Sequence, residues 1–223
     1  MQIGILGTGM VGRALAEGFV RTGHDVFMGT RDVHATTVRA PAGGASSMAD
    51  WLAAHPAAAL VDLPSAAGSA EVVVNATSGG ASLAALTAAG APNLAGKPLI
   101  DVSNPLDFSA GFPPTLTVKD TDSLAEQIQR SFPDARVVKA LNTLTAALMT
   151  RPDLLPEPTT LPVAGDDDQA KAVVAELLGE FGWTDVLDLG GIGSARGMEM
   201  WLPLWLRTMT ALGTPMFNLR IVR

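Results

Sequence analysis

The chain predicts an α/β fold: a doubly wound, mostly parallel sheet followed by a small C-terminal helical portion. Three observations carry that reading. The opening runs strand, tight turn, helix, strand; later short apolar runs each end in small polar residues and alternate with helical spacing; and the chain closes on a strongly apolar helix.

The apolar run Ile3 to Leu6 suits a buried parallel strand, and it stops at Gly7, Gly9 and Gly12 in the spacing G-x-G-x-x-G. Leu15, Phe19 and Val20 then recur on one side of a helix. Each glycine has a separate physical reason. Gly7 permits the sharp turn, Gly9 lets the backbone approach a pyrophosphate, and Gly12 lets the helix pack closely on the strand, so that phosphates meet the free N–H groups of the helix N-terminus. This is the fingerprint of a Rossmann dinucleotide site.

The second strand, Asp25 to Met28, runs out into Gly29-Thr30-Arg31. An NAD site usually places a carboxylate there for the ribose 2′-hydroxyl; here a hydroxyl and a guanidinium stand ready for a 2′-phosphate. The reading is NADP(H) over NAD(H). Asp32 follows the arginine and is expected to face solvent or pair with it, and Arg39 is a second candidate phosphate partner or a plain surface arginine.

Composition narrows the class. The 223 residues, 48% hydrophobic, suffice for one large domain with an appendage, set here at 1–160 for the dinucleotide-binding part and 161–223 for a small C-terminal portion. With no cysteine there is no disulfide, thiolate metal site or cysteine nucleophile. The formal charge of -7 disfavours nucleic acid and anionic lipid as partners. No apolar run is long enough for a membrane span and no signal-peptide pattern opens the chain, so a cytoplasmic location is expected.

The rest of the chain follows the same logic. A helix is expected near Ser46 to Ala54, capped by Ser46 or Ser47 and burying Met48, Trp51 and Leu52. His24, His34 and His55 are scattered without carboxylate spacing, so they are expected at loop or surface positions and not as metal ligands. Apolar character rises at Ala58 to Leu63, before a turn at Pro64. Val72-Val73-Val74 suits a central strand whose end delivers Asn75, Ala76, Thr77 and Ser78 to the edge where a doubly wound sheet binds its ligand. Pro98 to Val102 repeats the form and ends in Ser103-Asn104-Pro105, which brings Asn104 to the same edge. Leu106 to Lys119 reads as a long ordered loop, Ser123 to Phe132 as a helix, and Arg136 to Ala140 as a strand ending in Leu141-Asn142-Thr143.

Asn142 could orient the nicotinamide carboxamide or the acceptor, or satisfy the backbone of a turn. Lys139 could bind an anion or supply a proton, or be a solvated strand-end residue. These two are the candidate catalytic residues. A proline-rich connector spans Arg151 to Pro162, Leu161 to Ala164 is a short strand, and Gly165 to Asp168 gives a helix N-cap and acidic first turn. Trp183 to Leu189 is the last strand. The final helix, about Arg196 to Leu212, carries Met198, Met200, Trp201, Leu202, Leu204, Trp205, Leu206 and Met209, and so should be buried on more than one face, one of them in a homodimer. Arg196 and Glu199 are expected to form an ion pair on it.

Taken together, GTGMVG, the following GTR, VVKALNT, VAGDDDQAK and DLGGIGSARGMEMWLPLWLR resemble the NADP reductases that use the deazaflavin coenzyme F420, and their wider group of dinucleotide-binding oxidoreductases. The likeness runs along essentially the whole chain. It implies a Rossmann domain with a small helical C-terminal part, a homodimer, and hydride transfer between NADP(H) and F420. It also implies that Gly7, Thr8, Gly9, Met10, Val11, Gly12, Thr30 and Arg31 hold NADP, with Thr77 and Ser78 nearby.

Hydride transfer between two redox cofactors asks for positioning more than for reactive side chains. The chain has no tyrosine, which excludes the Tyr-x-x-x-Lys acid of short-chain dehydrogenases, and it shows no evident catalytic dyad. That favours a redox-cofactor acceptor. Two alternatives remain: an NADPH-dependent reductase of another acceptor (flavin, quinone, metal ion, imine or carbonyl), and a non-catalytic NADP(H) sensor.

Overall fold

The computed structural model describes residues 1–40 and 46–223. In chain order the main elements begin with β1 (Gln2–Leu6), α1 (Met10–Arg21), β2 (Asp25–Thr30), α2 (Val33–Val38), α3 (Met48–Ala54), β3 (Ala58–Asp62), α4 (Leu63–Ser69) and β4 (Val72–Asn75). There follow α5 (Gly79–Ala89), α6 (Ala91–Leu94), β5 (Pro98–Asp101), β6 (Leu106–Asp107), β7 (Thr115–Leu116), α7 (Leu124–Ser131) and β8 (Arg136–Ala140). The chain ends with α8 (Ala146–Met149), β9 (Leu161–Gly165), α9 (Asp168–Glu180), β10 (Val186–Asp188), α10 (Ala195–Met200) and α11 (Leu202–Leu212).

Eight strands form one sheet in the order β3-β2-β1-β4-β5-β8-β9-β10. Every pair is parallel except β8 with β9. The direction of winding reverses between β1 and β4, which is where a doubly wound sheet opens a crevice beyond its strand ends. The expected α/β class is therefore what the chain adopts. The sheet runs on through residue 160: β9 pairs with β8 and β10 with β9, so the part outside the sheet starts beyond β10.

Strand side chains alternate between two cores. Ile3, Ile5, Val26, Met28, Val72 and Val74 meet α1, α3, α8 and α9 through Leu15, Phe19, Trp51, Leu148, Val174 and Leu177. Leu6, Val73, Leu99 and Val137 face the other way onto α4, α5 and α7, through Ala66, Leu86 and Ile128. Phe19 is 1% exposed and packs against Phe181 with ring centroids 4.8 Å apart.

Local sequence accounts for the helix starts. Ser47, Asp62, Ser123 and Asp167 each cap a helix by accepting a hydrogen bond from the N–H three residues on. Asp62 shows what a turn reading of Pro64 leaves out: capping aspartate followed by proline inside the first turn starts α4. The segment expected as a plain loop after Pro105 contains a short antiparallel hairpin, β6 with β7. His24, expected at a loop or surface position, is buried and bonds Glu180 at 2.6 Å.

The final helix also differs from its expected form. It is two segments meeting at Trp201, with Pro203 in the first turn of α11. Met198 and Leu202 are buried, as is Leu206, whereas Leu204 and Leu212 are 53% and 57% exposed. The tail then returns to the sheet, where Thr160 N–H donates to the Leu219 carbonyl and Ile221 N–H to Thr160 Oγ1, both at 2.9 Å. Among the described residues no helix is long and apolar enough to cross a membrane.

The packing of α1 on α9 yields a stability test. Phe19→Ala should cost about 3–5 kcal/mol in urea denaturation, because the cavity left between α1 and Phe181 is walled by the sheet and cannot collapse. A loss below about 1 kcal/mol would contradict this description of the core.

Candidate functional site

The strand ends β1, β2 and β4 and the N-terminus of α1 enclose a cleft of about 690 Å³. Gly7, Thr8, Gly9, Thr30, Arg31, Ala76, Thr77 and Ser78, all expected from the sequence, line it. Thr36 and Arg39 line it too, and Leu63, Ala81, Ala84 and Ala85 give it an apolar wall.

The glycine turn has the geometry its spacing requires. Gly7 has φ +121°, a backbone region open to glycine at little cost, and its N–H bonds the Gly29 carbonyl at 3.1 Å. A side chain on Gly12 would collide with the Gly7 carbonyl, so α1 can come this close to the end of β1 only without one. At Gly9 a Cβ would meet nothing within 4 Å; the backbone there faces open cleft, and it caps α1 with no side-chain bond to the first turn. Backbone N–H groups at a bare helix N-terminus, beside a surface stripped of side chains, fit a pyrophosphate. Met10 is 77% exposed and Val11 half-buried, so these two contribute through the backbone of that first turn.

The end of β2 presents hydroxyls and guanidinium groups to the cleft. Thr30 Oγ1 lies 2.8 Å from Thr36 Oγ1, a hydroxyl pair that fixes the threonine rotamer. Arg31 and Arg39 are exposed and have no ion-pair partner among the described residues. Asp32 also lines the cleft and does not pair with Arg31: its carboxylate accepts from Ala35 N–H at 2.8 Å and caps α2. Thr36 gave no sequence signal, because its role depends on a short helix folding back over the strand end.

Asn75 differs from its expected place. It is fully buried, not a wall of the cleft. Its Nδ2 donates to Asp101 Oδ1 at 2.9 Å and to Ser82 Oγ at 3.1 Å, while its Oδ1 accepts from the Thr77 hydroxyl at 2.7 Å. Asn75 thus orients Thr77, which does face the cleft. Asn104 and Asn142 also lie outside the cleft lining and bond each other: Asn104 Nδ2 donates to the Asn142 carbonyl and Asn142 Nδ2 to Asn104 Oδ1, both at 2.9 Å. Asn142 Nδ2 further donates to the Met198 carbonyl at 3.0 Å, which ties the end of β8 to α10. Its Oδ1 is buried without a partner.

Lys139 lies inside the protein, not at a solvated strand end. It is neither solvated nor a proton donor at the cleft. Completely buried, its Nζ donates to Asp101 Oδ2 at 2.8 Å, to Glu199 Oε1 at 2.9 Å and to the Ser103 carbonyl. Burial alone would push the ammonium down, but the charges of Asp101 and Glu199 outweigh it and hold Lys139 above the usual lysine range. It keeps its proton throughout the physiological range.

The Arg196–Glu199 pair does not form. Glu199 accepts from the free amides of Leu124 and Ala125 at the start of α7, at 2.8 and 3.1 Å, as well as from Lys139. Arg196 instead grips Glu126 with two nitrogens. That guanidinium holds Glu126 below the usual carboxylate range against the opposing effect of burial. Among the described residues no group of three histidine, aspartate or glutamate side chains could hold a metal ion.

Comparison with known proteins agrees with the geometry. Residues 2–105 match the family model described as NADP oxidoreductase, coenzyme F420-dependent. A 1.70 Å crystal structure from Arthrobacter sp. FB24, of a protein assigned to the F420-dependent NADP reductases, is 53% identical and superimposes with TM-score 0.96 over 100% of both chains. The F420-dependent NADP reductase of Methanocaldococcus jannaschii is 30% identical over 50% of this chain and 50% of its own length. Metalloreductase STEAP3 of Rattus norvegicus is 32% identical over 95% of this chain, which spans 39% of that protein. With a nucleotide cleft fitted to NADP(H) and a full-length relative of the same fold, the chain belongs to the family of coenzyme F420-dependent NADP oxidoreductases.

Proposed function

We propose that this protein is an NADP(H)-dependent oxidoreductase that passes hydride between nicotinamide and the deazaflavin F420. The observation that carries the nucleotide half is the pairing of a bare helix N-terminus at Gly9 with a strand end that presents Thr30, Arg31 and Arg39 in one cleft. The acceptor half rests on the Arthrobacter and Methanocaldococcus relatives.

The chain's residues have separable tasks. The N–H groups opening α1 hold the pyrophosphate, Thr30 and Arg31 hold the 2′-phosphate, and the apolar wall from Leu63 to Ala85 receives the adenine. Thr77 and Ser78 border the nicotinamide half, since that half of a doubly wound sheet belongs to β4 and the strands beyond it. Bound NADP(H) supplies the chemistry, a hydride at the nicotinamide ring, and the protein supplies position and exclusion of water. Lys139, buried and doubly paired, is no candidate to protonate an alkoxide or amine, which leaves a hydroxyl such as Thr143 as the donor that a carbonyl or imine acceptor would need.

The protein is also proposed to act in the cytoplasm as a homodimer. Met200, Leu204 and Leu212 of the C-terminal helices and Leu219, Ile221 and Val222 of the tail leave apolar surface that a second copy would cover.

Mixing the purified protein with NADPH and oxidised F420 should bleach the deazaflavin absorbance, with NADH and free flavin giving far less. Arg31→Ala should raise the KM for NADPH about 10- to 100-fold and leave that for NADH nearly unchanged, the loss expected for a charge-assisted phosphate contact. Equal weakening of both nucleotides would sink the NADP assignment, and intact NADPH binding without bleaching would sink the F420 assignment. Light scattering should give twice the chain mass of 23.0 kDa, and a mass of one chain would overturn the dimer.

A further inference from the structure

At the ends of β5 and β8, joined through Asn75 to the cleft residue Thr77, lies a cluster of buried charges. Asp101 at the end of β5, Lys139 on β8 and Glu199 on α10 are 0%, 0% and 1% exposed. Two carboxylates share one ammonium, at 2.8 and 2.9 Å, so the cluster is formally one negative charge in excess. The groups around it are neutral donors: Asn75 Nδ2 and Ser103 on Asp101, and the first amides of α7 on Glu199. The adjacent Arg196–Glu126 pair sums to zero. The partial positive charge of the α7 N-terminus on Glu199 offsets part of the excess, and no further full positive charge balances it among these groups.

This charge is connected to the cleft. Asp101 Oδ1 accepts from Asn75, and Asn75 Oδ1 accepts from Thr77, whose side of the cleft borders the nicotinamide half. Two hydrogen bonds separate the carboxylate from the cleft wall. The two redox states of the nucleotide differ at that end by one positive charge, carried by the oxidised ring and absent from the reduced one. A fixed buried charge acts on that difference with little screening by solvent.

We propose that the Asp101–Lys139–Glu199 cluster makes the site discriminate between the redox states of its nucleotide, favouring cationic NADP+ over neutral NADPH. The inference rests on the placement of the nicotinamide half proposed above. A site that holds the oxidised nucleotide more tightly than the reduced one shifts the equilibrium between the two bound nucleotides toward NADP+ and leaves the overall equilibrium unchanged. Asp101 and Glu199 are then specificity-determining residues that act through the field and touch no substrate.

The test is binding, not turnover. The Kd values of NADP+ and NADPH are measured separately by calorimetry on the wild-type chain, Asp101→Asn and Glu199→Gln. Each substitution removes the excess charge at nearly constant shape. The ratio Kd(NADP+)/Kd(NADPH) should rise by at least about threefold in both, more in Asp101→Asn because that carboxylate bonds Asn75 directly. Should Asp101→Asn fail to fold, Glu199→Gln, which leaves Asn75 and Ser103 bonded to Asp101, carries the comparison. A purely structural role weakens both nucleotides equally, and an unchanged ratio overturns the inference. Wild-type protein that binds neither nucleotide overturns the cleft assignment itself, and the inference with it.

Discussion

The close approach of α1 to the end of β1 is the constraint on which the site depends. Gly12 lies against the Gly7 carbonyl with no room for a side chain, and Gly7 holds a backbone angle that other residues avoid. Together they aim the N-terminus of α1 into the crevice where the sheet changes its direction of winding. Adding a methyl group at Gly12 would lift the helix from the strand and move the first-turn N–H groups away from the phosphates they serve. The rest of the cleft is arranged around that point, with β2 supplying Thr30 and Arg31 on one side and β4 supplying Thr77 and Ser78 on the other.

A second constraint joins the C-terminal helices to this sheet. Lys139 reaches across from β8 to Asp101 and Glu199, and Glu199 in turn closes the open amides of α7. The cluster joins two neighbouring strands of the sheet to α10 and leaves each member with a charged partner, which is the condition for tolerating buried ions at all. Asn142 adds a neutral tie from the end of β8 to the Met198 carbonyl. The position of α10, and of the exposed apolar residues that follow it, is thereby coupled to the ends of β5 and β8.

How much of this could be read from the chain depends on how local the cause is. Gly7, Gly9 and Gly12 impose backbone requirements within a few residues, so their spacing announces turn, strand and helix at once. The same holds for Thr30 and Arg31, which directly follow a strand, and for the capping serines and aspartates. Lys139 and Glu199 were illegible because their partners lie far along the chain. Arg196 and Glu199 have the spacing of a helical pair, yet each finds a stronger partner on another element, the one in Glu126 and the other in a buried ammonium. Asn75, Asn104 and Asn142 do end or follow strands, as their sequence context indicates, but sequence could not tell a side chain that lines the cleft from one that bonds its neighbours. The signal available for the buried cluster was Asp101 itself, a carboxylate closing an otherwise apolar strand, which demands a buried cation.

The most direct test of the account is a crystal structure of the protein with NADP+. The pyrophosphate is expected on the N–H groups opening α1, the 2′-phosphate within hydrogen-bond reach of Thr30 and Arg31, and the nicotinamide beside Thr77 and Ser78. A nucleotide bound in the opposite sense, or with its 2′-phosphate away from the end of β2, would contradict it.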